Sequence, residues 1–224
     1  MKKEVSQTMN SILMAIIYIL ILIQYPVGVA ITQLILHKNV QSVMQPGFLL
    51  LWGLVRIGII LPLIFLLMQR LSWDANDIFM RLGDYKRVIA ITFWFTFGFM
   101  LLGLGLYPWF LQVSKLSPLL FLEYIPIFLL YAISNAFVEE TFFRGVAQNF
   151  FARKLPIYWA ILIQAVFFAA IHIDSPMTNN LWLFVSLTLG LGLLWGYLTN
   201  RYKSLVPAIV IHIIADVFVA VSLF

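Results

Sequence analysis

Two adjacent carboxylates and an arginine lie inside a stretch of the chain that is otherwise apolar. They are Glu139, Glu140 and Arg144, within residues 137–144. A charged side chain at the centre of a membrane-spanning helix costs about 2.5–3.5 kcal/mol, so it is rare there unless it pairs or has a function. On a helix, residues four apart share a face, and glutamate before arginine is the favourable order. Glu139 projects about 100° away from Glu140. The spacing therefore predicts a Glu140–Arg144 ion pair and leaves Glu139 available for chemistry.

Further polar side chains recur at helical spacing in other apolar segments. They are Gln164–Phe168–His172, His212–Asp216, and Asn135, four residues before Glu139. Lipid satisfies none of these polar groups, so helices must bury them against one another. Each set alone has a structural interpretation, as a hydrogen-bonded core histidine or a helix-packing pair. Together, two glutamates, two histidines and an aspartate can bind and deprotonate a water molecule and donate protons to an oxyanion.

The composition is that of an integral membrane protein. The chain has 224 residues, of which 63% are hydrophobic and 10% charged, and its mean hydropathy is +1.00. Soluble domains are closer to half apolar and a quarter charged. The net charge of +5 does not indicate a nucleic-acid partner, because the basic residues lie in short gaps between apolar runs. The absence of cysteine excludes disulfides and thiolate chemistry.

The apolar runs predict an all-α, polytopic transmembrane helix bundle with about seven spanning helices, six to eight being compatible with the pattern. The predicted spans are 11–36, 47–68, 88–111, 119–151, 157–172, 181–198 and 206–224. Residues 1–10 are predicted to be a polar tail, and 69–87 a loop that could include an interfacial helix. Arg56 interrupts the second span and is expected to snorkel or to pair within the bundle. The whole chain, 1–224, is predicted to be a single membrane-embedded domain.

The basic residues also predict an orientation. Lys38 and Lys115 fall on one side of the predicted spans. The other side carries Lys2, Lys3, Arg70, Arg81, Lys86, Arg87, Arg153, Lys154, Arg201 and Lys203. Because basic loops stay in the cytoplasm, the chain is predicted to be a multi-pass cell-membrane protein with a cytoplasmic N-terminus. For His212 to reach the depth of the other polar residues, helices must tilt or the loop 201–207 must dip into the bundle.

At this point three motifs resemble those of a known family. Glu139-Glu140-xxx-Arg144, Phe168-xxx-His172 and His212-xxx-Asp216 are similar to the motifs of the CPBP (CAAX protease and bacteriocin-processing, ABI) intramembrane proteases, which include the type II CAAX prenyl endopeptidases. The segments 192–196 and 204–207 also resemble that family's approach to its third motif. The resemblance covers 127–218, which would be the CAAX protease-like catalytic core.

The resemblance implies an intramembrane endopeptidase that hydrolyses a peptide bond of a membrane-associated peptide or protein within the lipid bilayer. Glu139 would be the general base and would share the attacking water with His172. His212 and Asp216 would stabilise the oxyanion, where many relatives have asparagine in place of the aspartate. An ionised aspartate only accepts hydrogen bonds, so Asp216 would orient His212 or hold water.

The other motif residues are implied to support this chemistry. Glu140 would tune the base within the catalytic set, while Arg144 and Phe168 would give structural support. The family is often labelled metalloprotease, although the H-E-x-x-H helix motif of zinc proteases is absent from this chain. No cofactor is required by the resemblance; a divalent metal such as zinc stays open. Its ligands would be Glu139, His172, His212 and Asp216.

Two other classes of function fit the same residues. A proton-coupled transporter could use the carboxylates and histidines as a relay, although the two related halves common in transporters are not visible. A non-catalytic bacteriocin-immunity-type or partner-binding membrane protein could use the motifs only to hold its bundle together. Peptidase activity distinguishes the predicted function from both alternatives.

Overall fold

The protein is a bundle of long helices, seen here in a computed structural model. The structure describes residues 2–23, 46–110, 118–173 and 180–222, with side chains described over 8–23, 47–101, 122–173 and 180–217. All regular structure within those ranges is helical. The elements are α1 (Lys2–Leu22), α2 (Pro46–Val55), π1 (Arg56–Ile60), α3 (Leu61–Leu71), α4 (Tyr85–Phe110), α5 (Pro118–Glu140), π2 (Thr141–Ala147), α6 (Gln148–Ala152), α7 (Ile157–Ala170), α8 (Leu181–Tyr202) and α9 (Val206–Ser222).

The π-helical segments do not interrupt the helices that contain them. The residues that flank π1 and π2 keep right-handed helical backbone angles, so α2–π1–α3 and α5–π2–α6 are each one continuous helix. The described residues therefore form seven helices, which confirms the predicted all-α bundle of about seven. Three described helices are long and apolar enough to cross a membrane: Gly47–Leu71, Leu122–Ala152 and Leu181–Tyr202. The protein is thus a membrane protein.

Several predicted boundaries were wrong by a few residues. Helix α1 begins at Lys2 rather than at residue 11, because no glycine or proline breaks the polar stretch before it. Residues 72–84 form turns rather than an interfacial helix. The change of direction occurs at Ser72, whose φ of 54° is left-handed. Predicted features at 24–45, 111 and 223–224 lie outside the described residues.

The loop before α9 dips into the bundle, as the depth argument predicted. Ser204 and Leu205 are 0% and 1% exposed. The Leu205 N–H donates to the Phe79 carbonyl oxygen at 2.9 Å, and Arg81 Nε donates to the Lys203 carbonyl oxygen at 3.3 Å. These two hydrogen bonds therefore hold the loop 72–84 against the start of α9. As a result α9 begins inside the protein, and His212 reaches the core within two helical turns.

Small residues bring α7 and α8 together near the centre of the bundle. A Cβ atom on Gly192 would lie 3.0 Å from the Ala165 Cβ, so the two backbones approach closely. Gln164 Nε2 donates to the Gly192 carbonyl oxygen at 2.9 Å across this contact. Phe168, one turn further along α7, is thereby fixed against Trp195 of α8, with ring centroids 6.0 Å apart. This packing positions the second predicted motif.

Candidate active site

Glu140 is the centre of a fully buried ion-pair network. Its Oε1 accepts hydrogen bonds from Arg144 Nη1 at 3.0 Å and from His212 Nδ1 at 2.7 Å. Glu140 and Arg144 have no exposed side-chain surface, so the predicted Glu140–Arg144 ion pair is confirmed. The bond to His212 joins the first motif to the third. It also fixes the imidazole, since a carboxylate oxygen can only accept and Nδ1 must donate.

The opposite nitrogen of His212 faces two more carboxylates. Its Nε2 lies 3.6 Å from Asp216 Oδ1 and 3.9 Å from Glu139 Oε2. His212 is thus hydrogen-bonded to Glu140 through Nδ1 and lies within ion-pair distance of Asp216 through Nε2. Asp216 is itself held by Asn135, whose Nδ2 donates to Asp216 Oδ2 at 2.7 Å. The amide of Asn135 therefore links α5 to α9 one turn before Glu139.

Glu139 presents the least satisfied carboxylate of this group. The residue is 1% exposed, and its Oε2 receives no hydrogen bond from any residue in the described ranges. A buried acceptor without a donor is unfavourable in a structural role. The same acceptor is suited to take a proton from a water molecule, which is the role that the sequence predicted for Glu139.

The Phe168 ring lies between His172 and this network and contacts both. Its ring contacts His172 and His212 with centroids 4.9 and 5.9 Å apart. The Arg144 guanidinium carbon lies 4.0 Å from the Phe168 ring centroid, within cation–π distance. Phe168 therefore fills the space between the ion pair and both histidines, consistent with its predicted supporting role.

His172 has a defined tautomer at the end of α7. Its Nδ1 lies 2.8 Å from the Phe168 carbonyl oxygen. Since a carbonyl oxygen accepts, Nδ1 donates, and Nε2 of the neutral ring carries the free lone pair. His172 is only partly buried, unlike Glu139 and His212. It is thus the more accessible of the two motif histidines.

The first motif leads directly into the π-helical segment π2. All residues of π2, from Thr141 to Ala147, are buried, and Glu140 is the residue just before it. Single π-helical turns in α-helices occur frequently at functional sites. Here the wider turn follows immediately after the two glutamates, while the i, i+4 contact between Glu140 and Arg144 is kept.

Two further residues reach the site without having been assigned to it from the sequence. The Trp195 indole stacks on the His212 ring, with centroids 5.0 Å apart and planes 29° apart. Arg56 is 1% exposed, and its guanidinium carbon lies 4.7 Å from the Tyr131 ring centroid. The expected pairing of Arg56 inside the bundle therefore holds, and snorkelling does not. Sequence spacing could not show either contact, because each joins two different helices.

The four residues that could ligate a metal are Glu139, His172, His212 and Asp216. Within the described ranges, no group of three or more histidine, aspartate or glutamate side chains has an arrangement that could hold a metal ion. His212 Nδ1 is already bonded to Glu140, which leaves Nε2 as its only nitrogen available to a metal.

The fold and the site together define a helical membrane protein with an acid–histidine cluster buried between its helices. Residues 121–218 match the family model described as type II CAAX prenyl endopeptidase Rce1-like. The match contains all three motifs, although it spans less than half of the chain. Over these residues the chain is similar to the type II CAAX prenyl endopeptidases. The resemblance inferred from the motifs is thereby confirmed.

No curated protein and no solved structure matches the chain.

Proposed function

We propose that the protein is an intramembrane endopeptidase that hydrolyses a peptide bond of a membrane-associated peptide or protein. The observation that carries this proposal is the Glu139 carboxylate. It is buried, lacks a hydrogen-bond donor at Oε2, and lies 3.9 Å from His212 Nε2. The family match supports peptide-bond hydrolysis as the reaction class.

The mechanism begins with a water molecule held between Glu139 and His172 Nε2. Glu139 takes one proton from the water, and the water oxygen bonds to the scissile carbonyl carbon. The carbonyl oxygen becomes an oxyanion, which a proton on His212 Nε2 would stabilise. Collapse breaks the C–N bond, and the proton on Glu139 passes to the leaving amine. The products are one new carboxylate and one new amine.

The surrounding groups hold this arrangement before substrate binds. Glu140 orients His212 through Nδ1, and Asn135 holds Asp216. Preorganised donors of this kind contribute most in a site that excludes water. Asp216 acts here as an acceptor that positions His212 or water, since an ionised carboxylate cannot donate to the oxyanion.

The substrate class follows from the setting of the site. A substrate must present an extended peptide segment at the depth of the spanning helices, so peptides or proteins anchored in the membrane are favoured. Peptide pheromones, bacteriocins and lipid-anchored C-terminal segments all meet this requirement. The family description makes prenylated C-terminal peptides one class to include in any substrate set.

The test is cleavage of membrane-anchored peptides by purified protein in detergent or liposomes. Wild type is compared with Glu139→Gln, which keeps the side-chain shape and removes the base. We expect cleavage by wild type and a loss of about 100-fold or more in Glu139→Gln. Equal cleavage by both proteins would contradict the proposed mechanism.

Two alternatives predict other results. A proton-coupled transporter would acidify liposomes on substrate addition without cleaving any peptide. A non-catalytic immunity-type protein would bind a partner peptide with equal affinity in wild type and Glu139→Gln. The family match favours hydrolysis over either alternative, because the matching model describes endopeptidases.

A further inference from the structure

Arg56 is a second fully buried guanidinium, and it lies outside the matched family region. Among the described side chains, Arg56 and Arg144 are the arginines that are buried, at 1% and 0% exposure. Arg56 begins the segment π1, in the middle of the second predicted span. A buried arginine that lacked compensating charge would be strongly destabilising in a membrane. A carboxylate near Arg56 would compensate its charge at this depth.

The helix register connects Arg56 to the catalytic carboxylates. Its guanidinium lies over the Tyr131 ring at 4.7 Å. Tyr131, Asn135 and Glu139 are spaced by four residues, so they lie along one face of α5. Asn135 in turn bonds to Asp216 of α9. Segment π1 packs against α5, so Arg56 faces the stripe that ends at Glu139.

Two carboxylates of the site lie on the side of the network that Arg144 does not contact. Arg144 is bonded to Glu140 and stacks on Phe168, so its charge is engaged on that side of the network. Glu139 and Asp216 both face His212 Nε2, which places two carboxylates against one imidazole. Arg56 packs on the α5 face that carries Glu139 and Asn135, the residue bonded to Asp216. It therefore supplies positive charge to the half of the site that Arg144 does not contact directly.

We propose that Arg56 is a positioning residue that balances the charge of Glu139 and Asp216 and so holds the catalytic base in place. The inference rests on the proposed function for its catalytic consequence. The charge coupling itself is a property of the fold and does not depend on the reaction. Arg56 contacts Tyr131 directly. The titratable and charged groups of the adjoining site are Glu139, Glu140, Arg144, His172, His212 and Asp216.

The test is a double-mutant cycle that pairs Arg56→Met with Asp216→Asn in the full-length protein. Removing Arg56 alone leaves excess negative charge at the site, so we expect kcat to fall by about tenfold or more with little change in KM. Neutralising Asp216 in the same protein should relieve part of that loss. Arg56→Lys, which keeps the charge, should retain more activity than Arg56→Met. Arg70→Met, an exposed arginine on the same continuous helix, is the matched control.

Thermal unfolding of the same four proteins of the cycle separates this inference from the proposed function. We expect Arg56→Met to lower the melting temperature and Asp216→Asn to restore part of it in the Arg56→Met background. If Asp216→Asn restores the melting temperature in this way but none of the proteins has peptidase activity, Arg56 is supported as the charge partner and the proposed endopeptidase function is contradicted. Additive effects of the two substitutions on both kcat and melting temperature would overturn the inference, as would wild-type activity in Arg56→Met.

Discussion

Glu140 holds two other residues of the candidate site in place through one carboxylate oxygen. Its Oε1 is shared between Arg144 and His212, at 3.0 and 2.7 Å, in a region without solvent exposure. Shared acceptors in a low-dielectric interior are strongly coupled, so removing the charge affects both partners. We therefore expect Glu140 to have a structural role in its own contacts and, under the proposed mechanism, to support the chemistry of Glu139 indirectly.

This difference between the two glutamates gives a first prediction. Glu140→Gln leaves the Arg144 guanidinium buried without its counter-charge, which typically costs about 3–5 kcal/mol. We expect a clear fall in melting temperature together with loss of activity. Glu139→Gln should lose activity while its melting temperature stays near that of wild type. A Glu140→Gln protein as stable as wild type would show that the ion pair is not a major stabilising contact.

A second prediction at this scale concerns metal. We expect peptidase activity to survive prolonged dialysis against a chelator, because Glu139 can activate water without a metal. The measurement is activity and bound zinc in the same dialysed sample. Loss of activity that only zinc restores would contradict this mechanism.

The sequence could predict contacts within one helix but not those between helices. The Glu140–Arg144 pair follows from a spacing of four residues, and the structure contains it. The Glu140–His212 bond joins residues 72 apart in the chain, so only the tertiary fold could reveal it. For the same reason, the sequence could not show that Glu140 holds the His212 ring at Nδ1, on the side opposite to Asp216.

At the scale of elements, the α7–α8 contact fixes where His172 and Phe168 lie. Gly192 allows the close approach, since a Cβ there would be 3.0 Å from the Ala165 Cβ and 3.4 Å from Phe168 Cδ1. Backbone proximity of this kind is typical of helix pairs in membranes, where small residues replace the hydrophobic effect as the basis of packing.

The third prediction follows from that contact. Gly192→Ala should push α7 away from α8 and displace Phe168, lowering both melting temperature and activity. Gly190→Ala is the control, because a Cβ at Gly190 meets nothing within 4 Å. Alanine has the higher helix propensity by about 1 kcal/mol, so the control should be at least as stable as wild type. Equal melting temperatures for the two variants would show that the packing contact is not tight.

Element boundaries were predictable where composition changes sharply and not where it changes gradually. The start of the fifth span at residue 157 and of the sixth at 181 agree with α7 and α8. The first helix begins earlier than hydropathy suggests, because lysine, glutamate and glutamine are good helix formers that hydropathy scores as polar. The loop 72–84 was polar in sequence, yet Ile78 within it is fully buried.

At the scale of the whole molecule, orientation is the property that the bundle itself does not determine. The basic residues near the ends of the spans predict that the loops containing Arg81, Lys154 and Lys203 lie in the cytoplasm. The same loops close one end of the bundle, where Leu205 bonds to Phe79.

The fourth prediction tests this orientation and uses the absence of cysteine in the chain. A single cysteine replacing Leu155, which is 39% exposed, should react with an impermeant maleimide only after the cytoplasmic face is opened. A single cysteine replacing Ser42, in a loop predicted on the opposite side, should react in intact cells. The reverse labelling pattern would contradict the proposed N-terminal location.

The measurement that tests the central claim most directly is the fate of the water oxygen in wild type and Glu139→Gln. A membrane-anchored peptide substrate is cleaved in ¹⁸O-labelled water, and the products are weighed by mass spectrometry. We predict one labelled oxygen in the new carboxylate for wild type, and about 100-fold less product for Glu139→Gln at an unchanged melting temperature. Labelled product formed at the wild-type rate by Glu139→Gln would contradict the assignment of Glu139 as the base.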